Sequence, residues 1–153
     1  MDMTAPNCVA APRLRTHRIR LPAHPTSAAA ARRHVKAVIH AWRLGVDAYV
    51  AALLTSELIT NALRHGLREE EAIELLITSA ENWMRVCVHD SSRSAPVLVH
   101  TSPDAEDGRG LELLANLSAS WGFEQTATGK AVYFTLRADA GGNGSADVAR
   151  DGH

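Results

Sequence analysis

The sequence predicts an α+β protein built as a two-layer α/β sandwich: a mixed, mostly antiparallel sheet covered on one face by three helices. Two periodicities and one connection length carry this expectation. Stretches alternating apolar and polar residues read as half-buried strands, and stretches with apolar residues three and four apart read as helices. Consecutive strand-like stretches are joined by short turns, which permit only antiparallel pairing. The order is strand, two helices, two strands, a long loop, a helix and two strands, with no internal repeat.

Residues 1–12 mix Pro, Ala and Asn without periodicity and are expected to be disordered. From Arg13 to Leu21, His17, Ile19 and Leu21 share one face among Arg13, Arg15, Arg18 and Arg20, the pattern of a short edge strand. The arginines suit a solvated or partner-facing edge better than a nucleic-acid patch, because the chain as a whole is not basic. Pro22 and Pro25 break this strand, and Thr26 or Ser27 can cap a helix running to about Leu44. Its apolar positions are Ala28, Ala31, Val35, Val38, Ile39 and Trp42, and Gly45 stops it. Asp47 caps a second helix that runs to His65 and ends at Gly66.

Strands follow at Ala72 to Ser79 and Trp83 to Asp90, joined by a turn at Ala80 to Asn82. Residues 91–107 lack periodicity, and a loop of that length inside a small domain is usually functional. A third helix is expected from Arg109 to Leu117. A closing hairpin pairs Trp121 to Thr126 with Ala131 to Arg137 across Ala127 to Lys130. The expected organisation is therefore a disordered segment 1–12, one domain over 13–137, and a mobile Gly/Ala/Asp-rich tail over 138–153.

A chain of 153 residues with 46% hydrophobic and 22% charged residues can bury a core of ordinary size. Its formal charge of -1 gives no support to nucleic-acid binding. The two cysteines, Cys8 and Cys87, make no disulfide framework, and the expected location is the reducing cytoplasm. No apolar run is long enough to span a membrane, and the first residues do not read as a secretory signal. The eight histidines form no defensible zinc spacing, and no Gly-x-Ser-x-Gly elbow supports a hydrolase triad.

The most informative stretch is Val50 to Gly66. At about 100° per residue, Val50, Leu54 and Leu58 fall in one sector of the helix, and Glu57 and Asn61 fall in the same sector. A buried carboxylate needs a cation, a donor network or a job. Glu57 and Asn61 are one turn apart, so a carboxylate and an amide oxygen can face one volume, a donor set that suits hydrated Mg²⁺. The same spacing, alone, also fits a helix whose polar residues face solvent or cap a loop. In the strand ending at Asp90, the aspartate shares the parity of Met84, Val86 and Val88 and so points towards the helices. There it can accept a hydrogen bond from an exocyclic amine, or it can open the following turn. Asp107-Gly108-Arg109-Gly110-Leu111 precedes an apolar-periodic helix, where glycine admits close approach and helix N–H groups attract phosphate. Neither a Walker loop nor a dinucleotide fingerprint is present.

Taken in order, these motifs resemble the superfamily of gyrase, heat-shock chaperone, mismatch-repair and histidine-kinase ATPase domains, over about Arg13 to Arg137. The run Ser56-Glu57-x-x-x-Asn61-Ala62-x-x-His65-Gly66 is similar to that of the anti-sigma-factor serine kinases. The resemblance implies a Bergerat-type fold holding ATP and Mg²⁺ between helices and sheet. It implies Glu57 as general base and Asn61 as magnesium ligand. Asp90 would be the adenine-reading residue, Gly108, Arg109, Gly110 and Leu111 the edge of the phosphate lid, and His65 and Lys130 further nucleotide-binding positions. It also implies a sigma factor and an anti-anti-sigma protein as partners, and a homodimer. Two departures stand out: Asp90-Ser91-Ser92-Arg93-Ser94 replaces Asp-x-Gly-x-Gly, and Lys130 follows Gly129 where the family has threonine. They motivate an alternative, a non-catalytic module that sequesters a regulatory protein with weak or structural nucleotide binding.

Overall fold

The computed structural model describes residues 14–64, 71–91, 114 and 116–138. Its elements are β1 (Arg15–Pro22), α1 (Thr26–Trp42), α2 (Ala48–Arg64), β2 (Ala72–Ala80), β3 (Trp83–Asp90), β4 (Ser120–Thr126) and β5 (Gly129–Arg137). The five described strands form one sheet in the order β1-β2-β3-β5-β4. Every pairing among them is antiparallel, so the described sheet has no mixed character. Helices α1 and α2 pack on each other and on one sheet face.

Alternation decides which face. Ile73, Leu75 and Ile77 of β2, Met84, Val86 and Val88 of β3, and Val132, Phe134 and Leu136 of β5 are buried against the helices. From above, α1 contributes Ala31, Val35, Val38 and Ile39, and α2 contributes Ala51, Leu54, Leu58, Ile59 and Ala62. The opposite face carries Arg18, Glu74, Arg85 and Tyr133, with the Arg85 guanidinium 4.5 Å from the Tyr133 ring centroid. Edge strand β1 turns Arg18 and Arg20 outward, Arg18 lying 3.7 Å from Glu74, while Arg15 sits over the Trp42 ring at 5.9 Å.

Element ends follow local chemistry, and several differ from the expected ones. Helix α1 starts at Thr26, but neither Thr26 nor Ser27 caps it with a side chain. The Thr26 N–H instead donates to the His24 ring nitrogen Nδ1 at 3.2 Å, and buried Ser27 donates its hydroxyl back to the Pro22 carbonyl at 2.6 Å. The helix stops at Trp42 rather than Leu44, because Arg43 takes a left-handed conformation (φ 56°, ψ 47°) before Gly45 is reached. There the Arg43 N–H donates to the His40 carbonyl and the Leu44 N–H to the Ile39 carbonyl, a Schellman closure. Asp47 does cap α2, its carboxylate accepting the Val50 N–H at 3.1 Å.

The closing hairpin is tighter than expected. Its loop is the pair Ala127–Thr128, and both Gly129 and Lys130 belong to β5. A two-residue connection suits the twist of paired strands, and it carries β5 back two residues earlier than the apolar run alone suggests. Of the third expected helix, residues 109–113 and 115 lie outside the described residues. Residues 114, 116 and 117 are helical, and the Ser118 N–H donates to the Leu114 carbonyl at 3.1 Å. The segments expected to be disordered or mobile, 1–12 and 138–153, also lie outside them except for Ala138, whose N–H donates to the Asn82 carbonyl at 2.9 Å.

Two backbone sites yield expectations. A left-handed residue other than glycine costs about 1–2 kcal/mol, so Arg43→Gly should raise the midpoint of urea unfolding without changing the slope. At Gly129 an added Cβ would stand 1.9 Å from the Asp90 carbonyl oxygen and 2.7 Å from Ser91 Cα. Both are backbone atoms that cannot swing aside, so Gly129→Ala should lose about 1–3 kcal/mol in the same measurement.

Candidate functional site

The buried face of α2 combines small residues with leucine and isoleucine. Ala51, Ala52, Leu54, Thr55, Leu58, Ile59 and Ala62 are buried, and Thr55 satisfies its hydroxyl on the Ala51 carbonyl at 2.7 Å. Glu57 and Asn61 lie one turn apart on the flank of that face and are half-buried, as is Val50. Of the expected sector, Leu54 and Leu58 are buried as their pattern predicts, while Val50, Glu57 and Asn61 lie on its rim. The buried face continues from the leucines onto Ala51, Ala52, Thr55 and Ala62, which a pattern led by larger apolar residues does not reveal.

The rim position still isolates both polar groups. Asn61 Oδ1 is out of contact with water and accepts no hydrogen bond from the described residues. An amide oxygen in that state is destabilising by about 1–3 kcal/mol, and native structures rarely keep one without a ligand or a water to fill it. Burial pushes the Glu57 carboxyl up from its ordinary value, and the Arg64 guanidinium pulls it partly back. A carboxylate adjusted in this direction is a better proton acceptor than a free one. An orphaned amide oxygen is a hard ligand and fits Mg²⁺. Among the described residues no three His, Cys, Asp or Glu side chains form a metal cage, so an ion held at Asn61 would draw other oxygens from phosphates and water.

The second part of the site lies where β3 and β5 run side by side. Asp90 ends β3, and its register partner on β5 is Lys130. Parity points both towards the helices, and the Lys130 ammonium lies 3.4 Å from Asp90 Oδ1. Asp90 is 2% exposed and Lys130 1%, which makes Lys130 the largest fully buried side chain among the described residues. Gly129 fixes this register, because only a residue without a side chain lets β5 approach the Asp90 carbonyl so closely. Just past the strand, Ser91 turns its hydroxyl away to the Glu71 carboxylate at 3.0 Å.

Asp90 therefore lies on the helix-facing side, as its parity predicts. The Asp90–Lys130 pair was not anticipated, because starting β5 at Ala131 left Lys130 in the turn. The signal was available: Lys130 shares the alternation of Val132, Phe134 and Leu136 once the strand begins at Gly129. Glu57 and Asn61 share one helix flank, Asp90 and Lys130 one strand seam. His65, Gly108, Arg109, Gly110 and Leu111 lie outside the described residues.

With this arrangement in view, the sequence profile of the histidine kinase-like ATPase domain matches residues 21–136. The chain belongs to the histidine kinase-like ATPase domain family. The match spans both helices, β2, β3 and β4 in full and nearly all of β5, and takes in the last two residues of β1. No curated protein matches the chain. Among solved structures, the histidine kinase domain of the blue-light activated histidine kinase from Erythrobacter litoralis EL346 is similar at 23% identity and a TM-score of 0.45. That alignment covers 75% of this chain and 60% of that one, so this member of the family spans about three fifths of that kinase domain. Family membership brings ATP and Mg²⁺ binding as the general property of such domains, and none of the described helices is long and apolar enough to cross a membrane.

Two measurements probe these groups. Removing the carboxylate strands the buried Lys130 ammonium, so Asp90→Asn should lose about 3–5 kcal/mol, and Lys130→Met, which leaves Asp90 its other contacts, should lose less. The double variant should lose clearly less than their sum in denaturant unfolding. For Glu57, the folded carboxyl holds its proton to higher pH than the unfolded one. Its contribution to stability is full below the unfolded value and falls as pH rises through the folded value. Glu57→Gln should accordingly gain stability relative to the native chain between pH 4 and pH 8, read as the difference between their thermal midpoints.

Proposed function

We propose that this chain is an ATP-binding regulatory protein that acts on other proteins, as the anti-sigma-factor serine kinases it resembles do. In this reading it binds a sigma factor and phosphorylates a serine of an anti-anti-sigma partner, working as a homodimer in the cytoplasm. The observation that carries it is the Glu57/Asn61 pair, one residue pushed towards a basic carboxylate and the other holding a buried oxygen that accepts nothing from the described residues.

The chemistry assigned to the residues is direct. Glu57 takes the proton from the incoming serine hydroxyl as its oxygen bonds to the γ-phosphorus. The bond from that phosphorus to the β–γ bridging oxygen breaks, and ADP leaves with the electron pair. Asn61 would hold a magnesium ion, which would neutralise charge on the phosphate oxygens. Asp90 would read the base, and Gly108, Arg109 and Gly110, outside the described residues, are assigned to the phosphates by resemblance alone.

A second reading, a non-catalytic module that sequesters a regulator, draws support from the Asp90–Lys130 ion pair, which already satisfies the group assigned to the base. The two readings separate in one experiment. Incubation with γ-labelled ATP, Mg²⁺ and the cognate anti-anti-sigma protein should transfer label to a partner serine, and Glu57→Ala should reduce the rate by about 10²–10⁴-fold. Absence of transfer at full ATP occupancy would leave the binding module. Calorimetry supplies the companion test. Asn61→Ala should abolish the Mg²⁺-dependent part of ATP binding while leaving the unliganded chain as stable as before or more so, since no hydrogen bond is lost with its oxygen.

A further inference from the structure

The reading above gives Glu57, Asn61 and Asp90 tasks but leaves the buried ammonium of Lys130 without one. We propose that Lys130 sets the base specificity of the site, pairing with Asp90 so that the chain takes nucleoside triphosphates by their magnesium–triphosphate end and does not distinguish their bases. This rests on the reading that a nucleotide lies along α2 with its base towards Asp90.

The argument begins with hydrogen-bond polarity. A carboxylate only accepts, so Asp90 alone would welcome the 6-amino group of adenine and repel the 6-oxo group of guanine. An ammonium only donates. With its nitrogen 3.4 Å from Asp90 Oδ1, the pair presents an acceptor and a donor within one buried spot. Guanine's carbonyl then finds the donor that Asp90 cannot offer. Adenine's amine gains less than it would from an unshared carboxylate, because the ammonium already takes up part of that carboxylate's accepting capacity and offsets its charge.

Two structural facts keep Lys130 in this position. It is 1% exposed, so its ammonium is held within the interior beside Asp90. Its neighbour Gly129 presses against the backbone of Asp90 and Ser91, so β5 cannot slide to carry the lysine elsewhere. The register Asp90 opposite Lys130 is thus imposed by the backbone and not chosen by the side chains.

The test is calorimetric titration of the full chain with ATP and with GTP, each with Mg²⁺. The native chain should bind the two with Kd values within about threefold of each other, and Lys130→Thr should favour ATP by about tenfold or more. A native chain that already prefers ATP by about tenfold overturns the proposal while leaving ATP binding intact. So does a folded Lys130→Thr variant that remains indifferent to the base. Failure of the native chain to bind either nucleotide at millimolar concentration overturns both this proposal and the nucleotide reading beneath it, and is recognised by the absence of heat in both titrations. Should Lys130→Thr lose its far-ultraviolet circular dichroism, the native ratio of ATP to GTP affinity decides alone.

Discussion

Two opposite charges held out of water where β3 and β5 meet constrain what surrounds them. Desolvating a carboxylate and an ammonium is expensive, and their attraction offsets that expense only while they stay together in good geometry. Asp90 and Lys130 meet this condition because they are register partners with parity on the same face. The backbone supplies the rest: Gly129 lets β5 lie against the Asp90 carbonyl, and a two-residue loop delivers Gly129 to that point. A polar interaction at the strand ends thus depends on a glycine and a turn, neither of which carries charge.

The chemistry of α2 follows a similar logic. Its buried face packs into the core and leaves Glu57 and Asn61 at the rim of the contact. Glu57 there loses enough water for burial to raise its carboxyl above the ordinary value, yet the side chain stays only half-buried. Asn61 loses more, its oxygen being sealed off altogether. One turn of helix therefore hosts two different degrees of desolvation, and the difference suits a proton acceptor beside a metal ligand.

Most of the architecture was legible because it rests on alternation. The bounds of β3, the Asp47 cap, the edge position of β1 and the inward parity of Asp90 follow from residue pattern and turn chemistry. What escaped was set by neighbours distant in sequence or by backbone conformation. Arg43 ends α1 in a conformation that glycine would be expected to supply, and Gly45 drew attention two residues too late. Lys130 seemed to belong to a turn, because a lysine opening an apolar strand looks like a surface residue until its partner 40 positions away is known. The buried face of α2 includes Leu54 and Leu58 as expected but extends further round the helix than the pattern shows, since alanines and a threonine carry less weight than valine and leucine in any pattern led by hydrophobicity.

The strand order has a consequence for how the molecule assembles. Two hairpins, β2–β3 and β4–β5, each close over two residues, and such local pairings form within microseconds. The seam between them joins β3 to β5 across a much longer stretch of chain, so its loop-closure entropy must be met before the contacts there return anything. Asp90 and Lys130 sit at one end of that seam. Each enters folding fully hydrated on a separate hairpin, and both shed their water only when the hairpins dock. The ion pair therefore belongs to the late part of the folding reaction and is expected to govern how fast the sheet comes apart more than how fast it forms.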